Sequence, residues 1–318
     1  AGTAALPAGP ARRSAAGSRR PVIAKEERAE SRSGWTFVAP ALLLIGVFFA
    51  IPVVGALVLS FTDFDIYSIG DFGSTRFVGF KNYHDLFTNP VFWIALRNTL
   101  YFVVVGGPLS VAASLAAALL VNAKLASFKP FFRSAFFAPW VTTLVAVALV
   151  WRYIYHPQYG LLNAGLHQLG IGPVDWLGNP HWAMPAIILL SVWKNFGYNM
   201  LVFLAGLQSI PEELYEAAEL DGAGTWRRLK HITFPMLGPT FVFVGVVTMI
   251  ASFQIFSEPY VMTQGGPLKS TTTLVLFMYE EGFRWWRLGV AAAIAMVLFL
   301  LTLAATLVQL RFRRSVPR

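Results

Sequence analysis

The chain has 318 residues, of which 56% are apolar and only 13% charged, with a mean hydropathy of +0.59, whereas soluble domains carry roughly 25% charged residues. This composition excludes a water-soluble globule. The net charge of +9 is not gathered into a basic stripe among aromatic platforms, which argues against nucleic-acid binding, and without cysteine there is no disulfide framework or thiolate metal site.

Residues 1–34 are rich in Ala, Gly, Pro, Ser and Arg without apolar periodicity, the pattern of a disordered tail. The apolar run that follows is too long and too late for a signal peptide and is expected to be an uncleaved membrane helix. Six charge-poor stretches are long enough to cross a bilayer core, which takes ~20 helical residues: 35–61, 98–122, 134–151, 183–207 (interrupted only by Lys194), 236–257 and 288–310. Backbone groups in hydrocarbon must be satisfied within the segment, and barrel strands would be shorter and alternating. The expected fold class is therefore all-α: a polytopic membrane protein with six transmembrane helices, forming one transmembrane domain over 35–318. With the N-terminus inside, 17 of the 25 Lys and Arg fall on the cytoplasmic side and seven outside, so both termini are expected in the cytoplasm. Pro52, Pro108, Pro139 and Pro185 lie within the spans, and Ser110, Ser114 and Ala118 recur at four-residue spacing in the second, as close helix packing requires.

The loop 209–235 follows the fourth span. Ser209 and Glu212 have capping-box spacing, Pro211 suits a first turn, and Glu212 and Glu213 complement a helix N-terminus. A short helix is expected to stop at Gly222, and a second turn from Thr225 to His231 to end before Pro235. Leu214, Ala217, Ala218 and Asp221 share one face of the first helix, and Glu212, Glu216 and Glu219 another. Five acids between Glu212 and Asp221, where basic residues normally dominate, and a small-residue face point to a protein docking element. A helix lying on anionic lipid would carry a basic face.

Within the spans, polar groups interrupt the apolar pattern at Lys194, Asn195, Tyr198 and Asn199, and again at Ser252, Gln254, Ser257 and Glu258. Intramembrane ionisable residues are costly and usually face a cavity, which makes them candidates for a solute path; for Lys194 the alternative is snorkelling to the outer interface, and for the others helix packing. The five histidines show no metal spacing, and no GxSxG elbow is present. Asp63 and Asp65 read as solvated loop acids. No glycine precedes any lysine, so a GxxxxGK[ST] phosphate loop is absent and the chain is not expected to be an ATPase. A stand-alone secondary transporter or channel would need a buried carboxylate relay or an inverted repeat; Glu258 is the only acid near a span.

Glu216, Ala217, Ala218, Asp221, Gly222, Ala223, Ile232, Pro235 and Pro239 resemble the EAA loop of ABC importer permeases, with Phe234 where that motif usually has Leu. FVGFKNY (Phe77 to Tyr83), FWIALRNTLY (Phe92 to Tyr101), GLLN (Gly160 to Asn163) and MTQGGP (Met262 to Pro267) resemble the maltose and glycerol-phosphate branch of these permeases. The resemblance, over roughly residues 36–312, implies the type I ABC importer permease fold in a bacterial plasma (inner) membrane. It implies that the loop docks on an ATPase subunit, with Glu216 near a basic residue of that partner. Further implied partners are a second permease, two ATPase subunits holding ATP and Mg, and an extracellular or periplasmic binding protein that delivers a sugar; this chain itself needs no cofactor. By analogy with the family, Trp140 and Thr143 also join the candidate path.

Overall fold

A computed structural model describes Gly2, Gly73 and residues 35–70, 75–123 and 128–314; apart from Gly2, the tail expected over 1–34 lies outside the described residues. The chain divides into two compact units, Ala1–Gly55 and Ala56–Arg318. The described residues are helical apart from loops and one isolated bridge between Thr62 and Phe77.

Four of the six expected spans are continuous helices. The first, α1 (Trp35–Leu59), begins in the first unit and ends in the second. After a short helix, α2 (Lys81–Thr88), comes α3 (Pro90–Asn122). It starts eight residues before the expected 98, because Asn89 accepts a hydrogen bond from the Val91 amide at 2.9 Å and Pro90 occupies the first turn, an N-terminus that hydropathy cannot see. The fourth span, α7 (Pro180–Gln208), starts in the same way, with Asn179 accepting from His181. The sixth is α13 (Leu288–Arg314).

The other two expected spans are bent. Residues 134–151 do not form one helix: α4 (Lys129–Val141) and α5 (Leu144–Ile154) meet at 99°. Thr142 and Thr143 between them are extended, with ψ of 149° and 136°, and the Thr142 hydroxyl turns back to the Pro139 carbonyl at 2.6 Å. The fifth span, expected over 236–257, is α10 (Gly238–Phe253), bent by 66° from the preceding α9 (Thr225–Met236). It stops at Gln254, before Ser257 opens the short α11 (Ser257–Met262). The remaining α-helices are α6 (Leu161–Gln168), α8 (Glu212–Leu220), and α12 (Leu274–Tyr279), which continues as a wide turn through Arg284.

Within α1, α3 and α9 the backbone widens into a π-type turn at Gly46–Ala50, Phe102–Gly106 and Leu229–Thr233. Each ends two residues before a proline, at Pro52, Pro108 and Pro235. A proline ring clashes with the carbonyl four residues back and cannot donate to it, and widening the turn relieves both defects without ending the helix.

The core of the second unit centres on α7. Ser110, Ser114, Ala117 and Ala118 of α3 are buried, as their spacing predicts, on a helix whose C-terminal half packs with Met200, Phe203, Leu204 and Leu207 of α7. On another side of α7, a Cβ at Gly197 would overlap the Phe136 carbonyl of α4, so glycine is what allows these two backbones to touch.

Three asparagines in the sequence segments singled out above brace loops between the helices. Asn82 donates to the Ser60 and Thr62 carbonyls at 2.9 and 2.7 Å. Asn98 donates to the carbonyls of Lys269 and Thr272 at 2.9 and 3.0 Å, while the neighbouring Thr99 hydroxyl accepts from the Leu274 amide at 2.9 Å. Asn163 donates to Pro157 and Val174 and accepts from Val174 and Trp176.

Candidate functional site

The break between α4 and α5 leaves carbonyls of a helix C-terminus without intrahelical partners inside an apolar body. Lys194 of α7, only 9% exposed, meets them. Its ammonium donates to the carbonyls of Pro139 at 3.2 Å, Trp140 at 3.4 Å and Thr142 at 2.9 Å. A cation there also opposes the negative end of the helix dipole. Lys194 is not among the residues lining the cavity described below; it caps the broken span. Thr143 is likewise absent from the cavity wall: it precedes α5, makes no capping bond and is exposed.

Beside this junction lies a cavity of about 460 Å³. It is walled by α3, the last turn of α4, the middle of α7, the end of α10 and the start of α11. Eight of the expected path residues line it: Trp140, Asn195, Tyr198, Asn199, Ser252, Gln254, Ser257 and Glu258. The early stop of α10 brings the last three there, since the chain turns across the cavity instead of running on as a helix. Trp140 stacks on Tyr198 (ring centroids 5.2 Å apart, planes at 20°) and on Phe137 (5.3 Å, 27°), yet stays 43% exposed. An aromatic face held this way suits the apolar face of a ring-shaped, hydroxyl-rich solute.

The polar lining is partly committed. Asn199 donates to the Thr248 hydroxyl at 3.0 Å and so ties α7 to α10, Ser252 donates to the Thr248 carbonyl at 2.8 Å, and Asn195 donates to the Ser191 carbonyl at 2.9 Å. Ser191 in turn donates to a carboxylate oxygen of Glu258 at 3.1 Å. The Gln254 amide makes no hydrogen bond among the described residues, and the hydroxyl of Ser110, which also lines the cavity, is buried without a partner. Ser110, Ser191 and Thr248 were missed as lining residues: Ser110 was visible only through its small-residue spacing, and a lone hydroxyl in an apolar helix gives no other signal.

At the other end of α7 the loop 209–235 forms a surface element. Its first helix, α8, does not use Ser209 as a cap: Pro211 holds the N-cap position, and the Ser209 hydroxyl donates to the Gly206 carbonyl at 2.8 Å, continuing α7 instead. The C-terminus is as expected. Gly222 takes φ of +72°, its amide bonds to the Glu219 carbonyl at 3.0 Å and that of Ala223 to Ala218 at 2.8 Å, which closes the helix with a glycine. The following helix passes Pro235 rather than ending before it, through the π-type turn described above.

Tyr215 is hydrogen-bonded to Thr233 at 2.9 Å and Ile232 is half-buried against the core, so the loop is anchored through Tyr215 and Ile232. Glu216, Ala217, Asp221, Gly222, Pro235 and Pro239 are exposed and Ala223 half-buried. Glu219 is paired with Arg228; Glu216 and Asp221 have no such partner among the described residues. Leu220 and Trp226, 91% and 71% exposed, add apolar surface beside these acids.

Residues 90–317 match the family of binding-protein-dependent transport system inner membrane components. The chain belongs to that family. This permease is 37% identical to the lactose transport system permease protein LacF of Rhizobium radiobacter over 282 residues, covering 87% of this chain and 92% of that one. It is 36% identical to the arabinooligosaccharides transport system permease protein AraP of Bacillus subtilis (strain 168) over 283 residues, covering 88% of each. Its fold is that of a chain from a bacterial ABC transporter involved in the import of the acidic polysaccharide alginate (TM-score 0.76, 22% identity, 93% of this chain and 100% of that one). The permease is thus a membrane component of an importer, as the resemblance in the sequence implies, and the all-helical polytopic fold is borne out.

Proposed function

We propose that this permease forms, with a second permease, the passage through which an ATP-driven importer moves a sugar or oligosaccharide delivered by an external binding protein. The observation that carries this reading is the cavity at the broken span, where a stacked but open Trp140 faces the amides and hydroxyls of Asn195, Gln254 and Ser257. Relatives named for lactose and arabinooligosaccharides support the same solute class. ATP and Mg are held by two partner ATPase subunits. Loop 209–235 lies in the cytoplasm with both termini, in keeping with the distribution of Lys and Arg, and docks on the ATPase through Glu216, Asp221, Leu220 and Trp226. Glu216 meets a basic residue there.

The test is co-expression with tagged partners and reconstitution in proteoliposomes. Co-purification of an ATPase and a second permease, with ATP hydrolysis stimulated by a sugar and its binding protein, is the expected result. Uptake by this chain alone without ATP would overturn the proposal in favour of a stand-alone secondary transporter.

A further inference from the structure

Proteins similar to this chain include one named for lactose and one described as importing an acidic polysaccharide, so kinship leaves the charge of the cargo open. We infer that this permease's wall of the passage accepts uncharged saccharides and rejects anionic ones, an inference that rests on the sugar reading above.

An anion brought into a site of low dielectric needs a cation or a helix N-terminus to replace its lost hydration. Neither is offered here. No Lys, Arg or His is among the described residues that line the cavity, and the one carboxyl there, Glu258, adds no positive charge in either protonation state. The nearest intramembrane cation is Lys194, on the same helix as Ser191 and Asn195. An ammonium has three protons to donate, and three carbonyls, of Pro139, Trp140 and Thr142, take them. Lys194 has no donor left for a carboxylate, sulfonate or phosphate.

The helix ends that border the cavity add an independent observation with the same sign. α4 ends at Val141, beside Trp140, and α10 ends at Phe253, beside Gln254. Both are C-termini, but the negative end of α4 is already met by the Lys194 ammonium, so it is the end of α10 that presents uncompensated negative potential to the cavity. α11 begins there too, but at six residues it is too short to hold an anion. A neutral sugar suits every one of these groups: its C–H face lies on Trp140, its hydroxyls donate to Glu258, and the uncommitted Gln254 amide both donates and accepts.

The experiment uses the complete complex in nanodiscs without its binding protein. Tryptophan fluorescence is titrated with a neutral disaccharide and with its C6-uronate counterpart at matched ionic strength, up to ~100 mM, and Trp140→Phe assigns the signal. Separately, uptake of the neutral sugar is measured with the binding protein present. The expected result is quenching by the neutral sugar at least tenfold tighter than by the uronate, with Glu258→Gln narrowing that ratio. Equal or tighter binding of the uronate would overturn the inference while leaving the sugar reading intact. Uptake of the neutral sugar without any quenching would also overturn it, by removing the cargo from this cavity. Failure of the complex to take up any saccharide would instead sink the sugar reading, and this inference with it.

Discussion

Replacing Lys194 by methionine isolates what its ammonium does, because methionine keeps the length of the apolar stem and removes only the donor and the charge. The Pro139 carbonyl that Lys194 reaches is buried, and those of Trp140 and Thr142 are partly so. An unsatisfied buried acceptor costs about 1–3 kcal/mol, and hydrogen bonds to charged groups contribute about 1.5–3 kcal/mol each. Water can reach the two less buried carbonyls, and removing a buried cation recovers its desolvation cost. The net loss at the α4–α5 junction is therefore set at about 2–3 kcal/mol, which raises the population of an opened junction roughly 30- to 150-fold, since 1.4 kcal/mol is tenfold. Amide hydrogen exchange reads this ratio locally, without requiring the whole membrane protein to unfold in two states. Peptides covering residues 139–143 should exchange faster in Lys194→Met by about that factor, while those from α13 stay as in the parent protein. Sugar-stimulated ATP hydrolysis should fall as well, because Trp140 sits in the freed last turn of α4. Unchanged exchange at 139–143 would refute the cap and return Lys194 to the list of path residues.

Gly222→Val places a branched side chain at φ of +72°, where L-residues pay about 1–2 kcal/mol. It should abolish uptake, as should Glu216→Lys, while membrane insertion and recovery of the second permease persist; normal uptake in both would exclude the docking role of the loop. Gln254→Ala should weaken sugar-stimulated turnover with the ATPase still bound, and an unchanged rate and affinity would return Gln254 to a packing role. Asn163→Ala removes four hydrogen bonds from the loop around α6 and should cost about 2–6 kcal/mol locally at about 0.5–1.5 kcal/mol per bond, seen as faster proteolysis within residues 155–178. Glu281, in the external segment before α13, is held above the ordinary carboxylate range by burial, against the opposing pull of Arg287. An acid whose folded value is raised stabilises the fold most below its unfolded value, and that contribution is lost as pH rises through the folded one. Glu281→Gln should therefore flatten the fall of thermal stability as pH rises above the ordinary carboxylate range, and an identical pH profile would remove Glu281 from that account.

Much of this architecture is legible in the sequence, because hydrocarbon allows so few solutions. Apolar runs with basic flanks mark the helices, the Ser110, Ser114 and Ala118 spacing marks the closest packing, and Gly222 marks the end of α8. What sequence does not reveal is where a span breaks without a charge or a glycine to mark it. Thr142 and Thr143 look like ordinary membrane-helix residues, and their extended conformation depends on a lysine more than 50 residues later. Lys194 was misread for the same reason. An intramembrane cation signals that something nearby carries negative charge, but not whether that is a solute or the end of another helix. The cavity residues of α7 and α10 were legible as polar interruptions, whereas Thr143, transferred by family analogy alone, was not brought to the site. The Ser209 cap failed because Ser209 sits at the C-terminus of α7, whose Gly206 carbonyl claims that hydroxyl first.

The partners of Asn98 have a consequence for biogenesis. Its amide bonds to carbonyls 171 and 174 positions later in the chain. At a synthesis rate of roughly 5–20 residues per second, with membrane and soluble domains emerging N-terminal first, those carbonyls are made roughly ten to thirty seconds after Asn98 itself. During that interval the N-terminal part of α3 is already made while Asn98 still lacks these partners. The helix acquires this fixing only when the segment leading into the last span arrives. Synthesis of residues 269–272, and not the insertion of α3 itself, thus completes this contact.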